Sequence, residues 1–204
     1  MPRMSLVESL QVLRAVRQDR DVVVSTMGSA REWMKLGTHP LDFVYAPSAM
    51  GQAPALGLGI ALAQPDKRVI ILNGDGCMLM NLGSLVTLTA AHPDNLTLIV
   101  CENSVYEVTG GQATAACPAA RPGSAPVDFS QMALAAGFKS VWSFQDINDW
   151  RQQVESVLAA PGPRFVVLQV DPVPGGSVPR SPAPPVERAK SFAAALLAWS
   201  GSPS

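Results

Sequence analysis

The chain has 204 residues and a formal net charge of −1, from 15 Lys and Arg against 16 Asp and Glu. That balance offers no basic surface for nucleic acid, and the length suffices for one domain with a real core. Three cysteines without regular spacing speak against a disulfide framework or a zinc site.

Residues 5–18 carry Leu6, Leu10, Leu13 and Val16 at helical spacing, with Arg14 and Arg17 opposite. The opening MPRMSLVESL lacks the apolar core of a signal peptide, so a cytoplasmic protein is expected. Residues 21–25 read as a short strand, 30–36 as a helix and 43–45 as extended. No charge occurs between Asp42 and Asp66, but Pro47, Gly51, Gln52, Pro54, Gly57 and Gly59 favour a buried helix at 53–63 over a membrane span. Gly51, Ala55 and Gly59 suit close approach to another backbone, as at a subunit interface. Residues 69–72 read as a buried strand, 79–91 as a helix stopped by His92-Pro93, and 96–101 as a second buried strand. Residues 103–127 show no period and read as a loop or lid. A helix at 130–136, a strand at 139–142, a helix at 147–158 and a last strand at 165–170 follow. Six prolines in 171–185 preclude regular structure, and 186–199 is a final helix.

Continuous apolar runs mark parallel strands covered on both faces. The expected fold is therefore α/β: a doubly wound, mainly parallel sheet with helices on both faces. The expected organisation is a core domain at 1–170, a Pro-rich linker at 171–185, and a helix and tail at 186–204.

The most informative stretch joins two of these strands. The first ends in Gly74-Asp75-Gly76, the second in Glu102-Asn103, with 25 residues between Gly76 and Glu102. A carboxylate and a carboxamide thus reach the sheet edge where open α/β sheets bind ligands. Asp75 and Asn103 offer hard oxygens, suited to Mg²⁺ or Ca²⁺. Gly74 and Gly76 let the backbone turn sharply, and the Gly76 and Cys77 amides open a helix where an anion is favoured. The motif reads as a metal bridging protein to a diphosphate, or as an ordinary pair of strand-helix turns.

This stretch resembles the cofactor fingerprint of thiamine diphosphate (ThDP) enzymes, GDG followed some two dozen residues later by an asparagine pair, here Glu102-Asn103. The resemblance implies that Asp75, the Asn103 side chain and the Val105 carbonyl hold Mg²⁺. Upstream, Ser48-Ala49-Met50-Gly51 resembles the family segment whose bulky residue props the bent cofactor. It implies Met50 as that wedge and the Ser48 carbonyl as acceptor for the 4′-amino group. Ser25 or Thr26 falls where the family contacts the diphosphate; either also suits a helix cap. Cys77 stands where a serine is common. Tyr106 and Glu107 flank the metal loop; Glu107 is a candidate for catalysis, for loop capping or for meeting a partner.

The segments SAMGQAPALGLGIALAQPDKRVIILNGDGCMLMNLGSL and ENSVYEVTGGQAT resemble more closely the β subunit of sulfopyruvate decarboxylases and the matching half of phosphonopyruvate decarboxylases. Tyr106 departs from the histidine usual in the latter. This implies decarboxylation of a small 2-oxo acid. Arg121 or Arg180 is a candidate partner for its sulfonate or phosphonate, and equally a surface residue. Family members need a second domain, which binds the pyrimidine and supplies an activating glutamate. With no room for it before the first strand, this chain is expected to be one subunit of a hetero-oligomer with an α subunit carrying that domain. An acetolactate synthase-like carboligase subunit and a non-catalytic cofactor-binding subunit are the alternatives. His39 and His92 alone titrate near neutrality, and both read as non-catalytic.

Overall fold

The computed structural model describes residues 3–45, 49–120, 122–125, 127–175 and 180–198. Ser48, Arg121 and Pro179 lie outside them.

Helix α1 (Leu6–Val16) follows a two-residue strand β1 (Met4–Ser5), and the Ser5 hydroxyl caps it by accepting from the Glu8 amide at 3.3 Å. Strand β2 (Val22–Thr26), helix α2 (Met27–Lys35), strand β3 (Asp42–Tyr45) and helix α3 (Ala53–Ala63) come next. Strand β4 (Val69–Gly74) runs directly into α4 (Asp75–Leu79), and α5 (Gly83–Ala91) leads to β5 (Leu96–Glu102). A small antiparallel hairpin, β6 (Val105–Tyr106) with β7 (Gln112–Ala113), interrupts the long loop. Then follow α6 (Phe129–Ala136), β8 (Ser140–Phe144), α7 (Ile147–Ala159), β9 (Arg164–Asp171) and α8 (Pro185–Ala198).

The main sheet has seven strands in the path β1-β9-β5-β4-β2-β3, with β8 also on β9. Every pairing in it is parallel. Strands β8 and β1 share the outer edge of β9, β8 beside Arg164 to Leu168 and β1 beside Val170 and Asp171. Alternate residues feed two cores. Val24, Ile71, Leu98 and Val167 face a cluster completed by α3, α5 and α6. Val23, Ile70, Ile99 and Val166 face one completed by Leu10, Trp33 and Trp150 of α1, α2 and α7. The doubly wound parallel architecture is thus present, because each strand is apolar on both sides. Trp150 also donates its indole N–H to the Ser9 carbonyl at 3.0 Å, tying α7 to α1.

Three expectations need correction. The helix expected at 79–91 starts only at Gly83 and is preceded by a separate helix, α4, with a break between them where the Asn81 carboxamide donates to the Gly51 carbonyl at 2.9 Å and the Ser84 hydroxyl donates to the Asn81 carbonyl at 2.7 Å. The break lets α4 begin at Asp75 itself. The loop at 103–127 holds a hairpin and two short 3-10 turns. The third concerns α3, expected as a buried helix: within this chain it is buried on one side only, and the other side stays available for the expected subunit interface. Gly57 is the small residue that admits a neighbour: a Cβ there would meet Ile71 Cδ1 at 2.3 Å, whereas one on Gly59 would meet nothing within 4 Å. Ala55 and Gly59 are exposed, and Leu62 is 58% exposed. No helix among the described residues is long and apolar enough to cross a membrane.

Candidate functional site

Strand β2 pairs with β3 on one side and with β4 on the other, so the chain changes direction across the sheet between β2 and β4. A crevice opens at the carboxyl ends of the strands at such a switch point. Here a cleft of about 510 Å³, part of it open to solvent, lies there. The first turn of α2, with Met27 and Gly28, forms one wall; the run from Gly74 through Cys77 forms another. Asn103, Val105, Tyr106 and Glu107 contribute from the loop after β5, and Met50 from the segment before α3.

Asp75 is 2% exposed. Its Oδ1 accepts from the Gly76 amide at 2.8 Å, and its Oδ2 from the Ser104 amide at 2.9 Å and the Thr114 hydroxyl at 3.3 Å. Burial nevertheless pushes its carboxyl above the usual range, against the pull of those donors. The Arg3 guanidinium offsets that burial only in part, and a hard metal ion would balance the charge further. Among the described residues no group of three or more His, Cys, Asp or Glu is arranged to hold a metal. The donor set is one carboxylate with neutral amide and carbonyl oxygens. It fits Mg²⁺, which keeps waters and takes phosphate oxygens, better than a metal needing an all-protein cage.

The backbone of the loop after β5 is held in an uncommon shape. Ser104 has φ of 65°, and its hydroxyl accepts from the Arg3 guanidinium at 2.8 Å. Met27, on the opposite wall, has φ of 49°. Left-handed non-glycine residues of this kind gather where surrounding structure holds a site in place. The Asn103 carboxamide donates through Nδ2 to Glu107 Oε1 at 2.9 Å and accepts at Oδ1 from the Val105 amide at 3.0 Å.

Tyr106 explains one glycine. A Cβ on Gly76 would lie 2.4 Å from its ring. Gly76→Ala should therefore push Tyr106 and the adjoining Val105 off the α4 turn. If the cleft binds the ThDP that the sequence motif implies, we expect a loss of affinity of about fivefold or more by calorimetry, since overpacking costs ~1–3 kcal/mol. Unchanged affinity would show that Tyr106 moves freely.

The other expected residues are placed as follows. Thr26 lines the cleft, but its hydroxyl donates to the Leu72 carbonyl at 3.2 Å, a tie between β2 and β4. Ser25 is fully buried within β2, and its hydroxyl has no hydrogen-bond partner among the described residues. Cys77 is buried beside the cleft, and burial pushes its thiol up, which keeps it neutral. Arg180 is exposed. His39 sits just before β3 at the other end of the strands, with its Nδ1 against Arg17 at 2.9 Å. His92 is the exposed left-handed cap of α5. Sequence reasoning missed Arg3, Arg31 and Thr114, which act on the loop from distant positions.

A family model described as thiamine pyrophosphate enzyme, C-terminal TPP binding domain, matches residues 21–168. Phosphonopyruvate decarboxylase of Streptomyces viridochromogenes is 35% identical over 184 residues, 90% of this chain and 44% of that protein. The chain thus spans less than half the length of that relative. Sulfopyruvate decarboxylase subunit beta of Methanothermobacter thermautotrophicus is 34% identical over 166 residues, 81% of this chain and 82% of that subunit. An X-ray structure from Mycobacterium smegmatis, described as a thiamin diphosphate-dependent enzyme, superposes with a TM-score of 0.67 at 21% identity, over 84% of this chain and 32% of that one. That last likeness concerns the fold alone.

Proposed function

The chain belongs to the thiamine pyrophosphate enzyme family through its C-terminal TPP-binding domain, and from that premise we propose that it is the diphosphate-binding subunit of a split 2-oxo acid decarboxylase. The substrate class is a pyruvate bearing a sulfonate or phosphonate, with CO₂ and an aldehyde as products. The observation that carries the reading is the buried Asp75 carboxylate, bonded to the Ser104 amide next to Asn103 at the switch-point cleft. The β-subunit relative, of which this chain covers 82%, supports the split arrangement.

In this reading Asp75, the Asn103 amide oxygen and the Val105 carbonyl hold Mg²⁺, which neutralises the cofactor's diphosphate. The first turn of α2 and the α4 turn at Gly76 and Cys77 would hold the diphosphate. When bound, the cofactor supplies an electron sink for the carbon that loses CO₂. The chain's own residues bind, orient and exclude water. Cys101, fully buried in β5 with its thiol pushed up to about 11, keeps the cleft floor uncharged.

An α subunit with the pyrimidine-binding domain completes the site. Exposed Leu62, Met80 and Val86, 58%, 55% and 59% accessible, lie on α3, after α4 and on α5. Apolar surface of this kind suits a partner subunit.

Met50, half-buried in the cleft wall, serves as the wedge that keeps the cofactor bent. Met50→Ala should leave Mg²⁺–ThDP affinity within about threefold but lower kcat of the assembled enzyme by roughly a hundredfold, because small geometric errors at reacting atoms cost rate steeply. Full turnover in the variant would overturn the wedge assignment. A panel of 2-oxo acids assayed for CO₂ release tests the substrate class. Sulfopyruvate or phosphonopyruvate should react well ahead of pyruvate, and a preference for pyruvate would refute it.

A further inference from the structure

Glu107 is a buried carboxylate, 6% exposed at its side chain, with three bonds to three separate parts of the chain. Its Oε2 pairs with the Arg31 guanidinium of α2 at 3.0 Å. Its Oε1 accepts from the Asn103 carboxamide at 2.9 Å and from the Val173 amide, beyond β9, at 2.8 Å. The carboxylate lies directly over the first turn of α2, where a Cβ on Gly28 would come within 2.8 Å of Oε2. Arg31 is itself held by Glu32 at 2.6 Å, and Glu32 by Lys35 at 2.9 Å. Both oxygens of Glu107 are thus committed, which leaves it poorly placed to move protons for a substrate.

The Asn103 contact has a chemical consequence. An ionised carboxylate only accepts hydrogen bonds, so the face of the Asn103 amide turned to it must be the NH₂. The amide oxygen is thereby turned the other way, toward the Val105 amide and the loop expected to hold the cation. Partners that fix the orientation of a metal ligand in this manner tune affinity strongly.

We propose that Glu107 is a positioning residue: held in place by Arg31 and Val173, it locks the Asn103 carboxamide oxygen-outward for the metal. The proposal rests on Asn103 being a metal ligand. Glu107→Gln keeps the shape but removes the lock: the guanidinium of Arg31 draws the single glutamine oxygen to itself, which sets an NH₂ against Asn103 and lets that amide flip.

The test uses the full chain with ThDP and Mn²⁺ as a paramagnetic stand-in for Mg²⁺, and reads free Mn²⁺ by electron paramagnetic resonance. Asn103→Ala and Glu107→Gln should each weaken Mn²⁺ binding about tenfold or more. The double variant should be no weaker than Asn103→Ala alone, since Glu107 acts through Asn103. Thermal midpoints serve as the control for folding. Normal Mn²⁺ affinity in Glu107→Gln, with Asn103→Ala impaired, would overturn the lock while sparing the metal assignment. Multiplicative losses in the double variant would also overturn it. Normal affinity in Asn103→Ala would overturn the metal assignment and the lock together. A second readout needs no variant. In the ¹⁵N spectrum of the native chain the Asn103 side-chain NH₂ should exchange slowly with water, and rapid exchange would contradict the lock.

Discussion

Asp75→Ala is expected to lower the affinity for ThDP with Mg²⁺ by a hundredfold or more, equivalent to about 2.8 kcal/mol. Asp75 is the charged member of the proposed ligand set; Asn103 and Val105 offer neutral oxygens, and water replaces a neutral ligand at lower cost. The alanine variant also strips acceptors from the Ser104 amide and the Thr114 hydroxyl, so it loosens the loop as well as removing a ligand. Asp75→Asn separates the two effects. It keeps the size, removes the charge and sacrifices one of the three accepted hydrogen bonds, because an NH₂ must replace one oxygen. Relief of a charge that burial disfavours offsets that loss. The cofactor-free asparagine variant should therefore melt within a few degrees of the parent, yet bind Mg²⁺–ThDP as poorly as the alanine variant. Calorimetric titration checks the binding and thermal denaturation the stability. Undiminished binding in both variants would remove Asp75 from the metal site.

Much of this arrangement was legible in the chain because it is written locally. The apolar runs of β4 and β5 have no polar face, and only a strand covered on both sides fits that pattern. Gly74-Asp75-Gly76 at the end of one run and Asn103 just beyond the other then fall on the same sheet edge. What was not legible depends on contacts remote in sequence. Strand β1 has two residues, too few to show a period, and exists because β9 offers an edge. The break between α4 and α5 depends on Asn81 reaching Gly51, and the Glu107 bonds span 76 residues to Arg31 and 66 to Val173. Arg3 reaches Ser104 across 101 residues, and no local pattern announces such a pair. Thr26 is the instructive intermediate case. Its position at the cleft was readable, but the direction of its hydroxyl, toward the Leu72 carbonyl, depends on the pairing of β2 with β4.

The second large effect concerns the carboxylate that, in the proposed reading, activates the cofactor's pyrimidine. Glu32 is buried in ion pairs with Arg31 and Lys35, and Glu107 is bonded to Arg31, Asn103 and Val173. Asp75 is assigned to the metal in the proposed reading, and Glu102 ends β5 at the same sheet edge. Among the described residues, these acidic groups of α2, α4 and the β5 loop leave none for the pyrimidine. A positioned acid-base group contributes roughly 10²–10⁴ in rate, so its absence should reduce turnover by about that factor or more. The decisive measurement is CO₂ release from sulfopyruvate and from phosphonopyruvate, with ThDP and Mg²⁺, by the purified chain alone and then after addition of the α subunit. The account predicts release indistinguishable from buffer without the partner and rapid release with it, while substantial decarboxylation by the isolated chain would contradict the split site.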